Sequence, residues 1–240
     1  MDSLQFKPSR RLGQNFLLDP SLHRVLVDAA DPGPGDLVLE IGPGLGFLTR
    51  ELAGRARTLA VEVDGRLHEI VSRELPGFPD GGASVRLLHC DALQGSRISP
   101  LVIEALAEER AVHDGRFLVV ANLPYAISGP LLAELAYLPS PPDEMAVLVQ
   151  LELAQRITAL PGTKDYGAMT AWLQLAYQPS ILRKVSAQVF RPRPQVDSAM
   201  LQLAPLKNGR CDLGDADRQG LSEFLRQALS GRRKKLRNTK

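Results

Sequence analysis

The chain has 240 residues, 44% of them hydrophobic and 23% charged, enough for one large domain or one domain plus a fragment. No apolar run approaches the ~18 residues of a membrane span, no secretory leader is expected, and two cysteines with four scattered histidines make neither a disulfide framework nor a metal site, which leaves a cytoplasmic protein as the expectation. The net charge of +2 is uneven: residues 232–240 hold six basic and no acidic residues, so of 29 basic and 27 acidic side chains the first 231 residues keep a balance of −4.

Residues 1–18 read as a basic, mostly irregular arm containing Arg10 and Arg11. Asp19-Pro20 is a helix start, with Asp as N-cap and Pro at the first helical position, and Leu22, Val25, Leu26 and Ala29 mark one face up to Asp31. Leu37–Ile41 is a nearly continuous apolar run, as expected of a strand covered on both faces. It breaks at Gly42-Pro43-Gly44-Leu45-Gly46 and leads into a helix over about 47–55. Strands follow at 58–63, 85–90, 117–121 and 145–150, separated by helices over 65–75, 100–112 and 128–137, with a helix over 151–159 after the last. This alternation predicts an α/β fold with a parallel sheet and right-handed crossovers. Two further strands, 170–177 and 198–204, are predicted as an antiparallel pair at one edge, joined by the Pro-rich Phe190–Pro194 segment. From 206 a polar linker precedes one amphipathic helix through Leu221, Phe224, Leu225 and Leu229; it either packs on the main domain or begins a helical one.

The glycine loop departs from the G-x-G-x-x-G of dinucleotide binders and lacks a P-loop Lys, which points to a nucleoside-like ligand without a pyrophosphate. Glu40, Glu62 and Asp91 stand at successive strand ends, the edge where open α/β sheets bind ligands. That set suits S-adenosylmethionine: ribose on Glu62, adenine on Asp91 beside Ala92, the methionine end against Gly42 and Gly44. Asn122-Leu123-Pro124-Tyr125 follows a buried strand. Its Asn oxygen and the carbonyl of Leu123 or Pro124 can accept both N–H bonds of an exocyclic amine on a flat base, pulling the nitrogen toward tetrahedral geometry. Tyr125 can stack on the ring, and Phe190 is the candidate for its other face. A base inside a helix cannot enter such a slot, so the target is single-stranded or flipped out. The basic clusters, Arg191 and Arg193 among them, fit a polyanionic partner.

The ordered set Leu12–Leu17, Glu40–Gly46, Val61–Asp64, Asp91-Ala92, Asn122–Ser128, Tyr166-Gly167 and Phe190-x-Pro192-x-Pro194-x-Val196-Asp197-Ser198 resembles the ribosomal RNA adenine dimethyltransferases, specifically the small-subunit (16S) branch, over roughly residues 9–204. The resemblance implies a class I S-adenosylmethionine-dependent methyltransferase fold, Rossmann-like with a seven-stranded sheet whose last strands are antiparallel, in residues 1–205. It implies the beginning of a C-terminal helical RNA-contacting domain in 206–240, incomplete here. It implies two methyl transfers to each of two adjacent adenosines in the 3′-terminal hairpin loop of 16S rRNA in immature small subunits, by a monomer. On the resemblance alone, Asn15 and Leu17 contact the cofactor together with Gly42, Glu62, Asp91 and Asn122. Arg232, Arg233, Lys234, Lys235 and Arg237 then match the family's basic signature, and the Glu- and Arg-rich stretch from about 104 to 115 looks like a helix extension. Two other readings stand beside this one: a large-subunit (23S) methyltransferase of the macrolide-resistance type, and a mainly non-catalytic RNA-binding assembly factor.

Overall fold

The computed structural model describes residues 8–9, 12–206 and 215–230. Strands β1 (Leu37–Ile41), β2 (Arg57–Glu62), β3 (Val85–His89), β4 (Phe117–Asn122), β5 (Glu144–Gln150), β6 (Tyr177–Val185) and β7 (Ser198–Pro205) form one sheet in the order β3-β2-β1-β4-β5-β7-β6. The first five run parallel, and β7 inserts antiparallel between β5 and β6. The helices are α1 (Pro20–Ala30), α2 (Phe47–Leu52), α3 (Gly65–Glu74), α4 (Pro100–Arg110), α5 (Ser128–Leu135), α6 (Leu151–Ile157), α7 (Ala168–Gln174) and α8 (Asp215–Ser230).

The side-chain period of two splits the apolar strands between two layers. Leu118 and Val120 of β4 join Leu22, Leu26 and Val27 of α1 and Leu48 and Leu52 of α2 in one buried cluster. Phe117, Val119 and Ala121 join the opposite cluster, with Val102 of α4, Leu131 and Leu132 of α5 and Leu173 of α7. Both faces of the sheet are thus covered, which is why β1 and β4 read as unbroken apolar runs. Neighbours of β1 are β2 on one side and β4 on the other, so the chain reverses its winding there and leaves a crevice beyond the strand ends.

Asp19 caps α1 as expected, its carboxylate accepting from Ser21 N at 2.9 Å. The buried stripe of α1 is rotated from the expected one: His23, Val27 and Ala30 are enclosed with Leu22 and Leu26, while Val25 and Ala29 are half-buried, because α2 as well as the sheet covers this helix. The arm is not irregular throughout, since Phe16–Leu17 pairs antiparallel with Phe190–Arg191. The clearest correction falls on 170–177. Most of that stretch is helix α7, and the strand of the antiparallel pair runs from Tyr177 to Val185. A short apolar run fits either period, and here Gly167 starts a helix, its N–H donating to Thr170 Oγ1 at 3.0 Å. The 104–115 stretch lies in α4 and the turn after it, where Glu109 is buried and takes a bidentate pair from Arg57 at 2.7 and 2.9 Å. Helix α8 packs against α7, and the Arg218 guanidinium donates to the Tyr137 carbonyl.

Candidate active site

The carboxyl ends of β1, β2, β3 and β4 open onto one cleft with about 910 Å³ of non-atom space, its open mouth included. Its floor is the glycine loop. Gly42, Gly44 and Gly46 take φ of +72°, +60° and +79°, a region that side-chain-bearing residues rarely enter. A Cβ on Gly42 would lie 3.2 Å from Pro124 Cγ, and one on Gly44 3.1 Å from Phe16 Cε1. The loop therefore sits tight against both the Asn-Leu-Pro-Tyr segment and the N-terminal arm. The arm is tied down from the other side, where Gln14 Nε2 donates to Asp64 Oδ2 at 2.9 Å. Asp64, the N-cap of α3, is held down to about 2 by the Arg66 guanidinium, with Gln14 adding to the effect.

Glu62 ends β2 and is buried. Its two oxygens accept from Gly44 N at 3.1 Å and Asp64 N at 2.9 Å, which fixes the carboxyl while leaving lone pairs on both oxygens. Burial pushes its pKa up, against the pull of those N–H groups. Glu40 is only 1% exposed, and neither its Oε2 nor Thr49 Oγ1 has a hydrogen bond of good geometry. Burial pushes the Glu40 carboxyl up to about 8; the Thr49 hydroxyl opposes this, and the Glu62 charge adds to it. Of the expected ring of three acidic side chains, Glu40 is thus a neutral acid near pH 7. Asp91 lines the cleft with Ala92, and its Oδ1 accepts from Leu93 N at 3.0 Å. Glycine cradle, anchored carboxylate and an unpartnered buried oxygen together fit a cationic nucleoside such as S-adenosylmethionine.

Asn122 ends β4 half-buried. Its Nδ2 donates to the Asn15 carbonyl at 3.5 Å, which leaves Oδ1 as the acceptor. Asn15 and Leu17, which the resemblance assigns to cofactor contact, line the cleft. Of the two candidate backbone acceptors, the Pro124 carbonyl already takes Ile127 N at 3.1 Å and Ser128 Oγ at 2.9 Å. The Tyr125 hydroxyl shares a 2.6 Å hydrogen bond with buried Ser198 Oγ, and burial raises its pKa, so the phenol stays neutral. Phe190 is a correction. Its ring is fully enclosed in the cluster with Leu17, Leu22 and Leu26, away from the cleft, because its backbone pairs with the arm and its side chain turns into the core. Arg191 and Arg193 are exposed beside it. Arg10, Arg11, Arg232, Arg233, Lys234, Lys235 and Arg237 lie outside the described residues.

The cleft also holds residues that pattern reading passed over. His23 and Phe47 line it, and their rings stack at 6.0 Å. A lone histidine on a helix carries no signal in the sequence; only the packing of α1 on α2 brings it here.

A family model described as "Ribosomal RNA adenine dimethylase" matches residues 5–240. A protein of Geobacillus kaustophilus named "Ribosomal RNA small subunit methyltransferase A" is 38% identical over 235 residues, covering 97% of this chain and 76% of its own length. A solved dimethyladenosine transferase from Plasmodium falciparum superposes with a TM-score of 0.74 at 26% identity, over 92% of this chain and 73% of that one. The solved 23S rRNA methyltransferase ErmE gives 0.67 at 26% identity, over 93% and 82%.

Proposed function

This chain belongs to the ribosomal RNA adenine dimethylase family, and from that premise we infer that it dimethylates the exocyclic amines of two adjacent adenosines in the 3′-terminal hairpin loop of 16S rRNA. It is an rRNA adenine dimethyltransferase and uses S-adenosylmethionine as methyl donor. The 38% identity to a curated small-subunit enzyme over 97% of this chain favours the 16S substrate. The immature small subunit is the proposed substrate particle, with 1–205 as the catalytic unit and 206–240 as the start of an RNA-contacting one.

S-adenosylmethionine, when bound, supplies an electrophilic methyl group on a sulfonium. Glu62 is placed to accept from ribose hydroxyls and Asp91 with Ala92 to hold the adenine, while Gly42, Gly44, Asn15 and Leu17 shape the rest of the pocket. The target amine is a poor nucleophile because its lone pair is delocalised into the ring. Asn122 Oδ1 and the Leu123 carbonyl accept its two N–H bonds and localise that pair on nitrogen. Tyr125, neutral and held by Ser198, offers a flat face to the purine. No strong base is needed, since the nitrogen becomes acidic once methylated and its proton passes to water, while Glu40 is protonated and the phenol stays neutral. Positioning and acceptor dipoles supply the acceleration.

The observation that carries this reading is the pair of acceptors at the end of β4, opening on the same cleft as the glycine loop. The test is labelled methyl transfer to small subunits from a strain lacking the modification, with mapping of the labelled nucleotides. Wild type labels two adjacent adenosines near the 3′ end. Asn122→Ala loses transfer by about 100-fold or more, the scale for removing one preorganised polar group, while RNA binding survives. Unchanged transfer by that variant refutes the acceptor role.

A further inference from the structure

The catalytic cleft has a second aromatic surface, apart from Tyr125, that the chemistry above does not use. Phe47 opens α2 directly after the glycine loop and lines the cleft mouth, yet it is 44% exposed. Behind it stands His23 of α1, itself 4% exposed, with ring centroids 6.0 Å apart and planes 29° from parallel. Burial lowers the His23 pKa to about 4, with Asp19 opposing, so the imidazole is neutral at working pH and backs the phenyl ring as an uncharged plate. The open part of the pair is the Phe47 ring. Covering that ring with a flat apolar partner would bury it favourably.

The surroundings say what kind of group that is. Asp19, the cap of α1, feels the charge of Arg183, which places an arginine of β6 near the start of the helix that carries His23. Arg183 is exposed there, and Leu18, on the arm between Leu17 and Asp19, is 38% exposed. An open ring in the cleft that takes the target base, with an arginine near the cap of the helix behind it, matches a single-stranded nucleic acid, whose bases stack on aromatics while its phosphates meet basic side chains.

We propose that Phe47, backed by His23, is a stacking platform for an unpaired rRNA base adjoining the target adenosine. It rests on the RNA-methyltransferase reading above and extends it: with two consecutive target nucleotides, one base occupies the Asn122–Tyr125 slot while its neighbour needs a flat surface within one nucleotide's reach. Phe47 would supply that surface, registering the strand so that each adenosine is presented in turn.

The test measures binding of an RNA hairpin carrying the 3′-terminal loop, by anisotropy, to the full chain with S-adenosylhomocysteine present, alongside calorimetric affinity for S-adenosylhomocysteine alone. Phe47→Ala and Phe47→Leu are expected to weaken hairpin binding five- to hundredfold, the range for losing one base–aromatic stack, with nucleoside affinity within twofold. Phe47→Trp is expected to restore binding, with an RNA-dependent fluorescence quench absent from wild type, whose single tryptophan is Trp172. Hairpin affinity within twofold of wild type in Phe47→Ala overturns the proposal. So does rescue by Phe47→Leu, which keeps apolar bulk without a flat face, and so does an equal loss of nucleoside affinity, which makes Phe47 a wall of the donor pocket. Failure of the parent reading shows separately, as wild type that binds neither hairpin nor donor product.

Discussion

Single ionisable residues in the cleft make opposite demands on pH. Glu40 has its pKa raised from 4.5 to about 8 in the fold, so the native state holds a proton that the unfolded chain has released between those values. Its contribution to stability is complete below pH 4.5 and is lost as pH rises toward 8, by at most about 5 kcal/mol. Glu40→Gln, which cannot ionise, is expected to flatten the fall in denaturant midpoint between pH 6 and 8.5 in the absence of donor; an unchanged fall would mean that Glu40 is already ionised at pH 6. His23 works the other way. Its pKa drops from 6.5 to about 4, so its contribution is complete above 6.5 and is lost as pH falls toward 4, by roughly 3 kcal/mol. His23→Gln is expected to remove the part of the acid-side destabilisation that develops in that window, read from thermal midpoints at pH 7 and 4.5. Glu40 and His23 are thus groups that burial keeps neutral, which fits chemistry that runs on acceptors and dipoles.

At the scale of elements, the arm, the glycine loop and the segment after β4 form one packed unit. The arm pairs with Phe190–Arg191, Phe16 covers Gly44, and Pro124 covers Gly42. Gly44→Ala meets both a φ of +60° and a ring carbon at 3.1 Å. It is expected to cost about 1–3 kcal/mol of stability and to weaken donor-product binding at least tenfold, measured by thermal unfolding and calorimetry; full affinity in this variant would show that the loop tolerates displacement of the arm. The same coupling explains Phe190. A phenylalanine on a Pro-stiffened loop reads as a mobile stacking group, but its strand pairing with the arm turns the ring inward, where it holds the arm over the cleft.

Over the whole molecule, charge is distributed unevenly, with residues 232–240 contributing six positive charges to a chain whose remainder stands at −4. RNA binding is expected to weaken steeply with salt, because each phosphate contact releases counterions. Deleting 232–240 should reduce both affinity and salt slope while leaving donor-product affinity unchanged; identical slopes with and without the segment would remove it from the RNA surface. Helix α8 contacts α7 and so connects the C-terminal segment to the catalytic unit.

The order of strands and helices, the glycine loop, Glu62, Asp91 and Asn122 were legible in the amino-acid sequence, because each depends on local period, turn chemistry or position at a strand end. The short run at 170–177 was not, since eight apolar-rich residues satisfy a strand or a helix equally and the packing of α7 against α5 and α8 decides between them. Nor could sequence choose between the Leu123 and Pro124 carbonyls, place Phe190 in the core, or pair His23 with Phe47. Those outcomes depend on which hydrogen bonds and faces distant segments have already taken. Local chemistry named the parts of the site by itself; tertiary structure alone assigned the remaining acceptors and the remaining exposed ring, because both are what is left once the rest of the chain has packed.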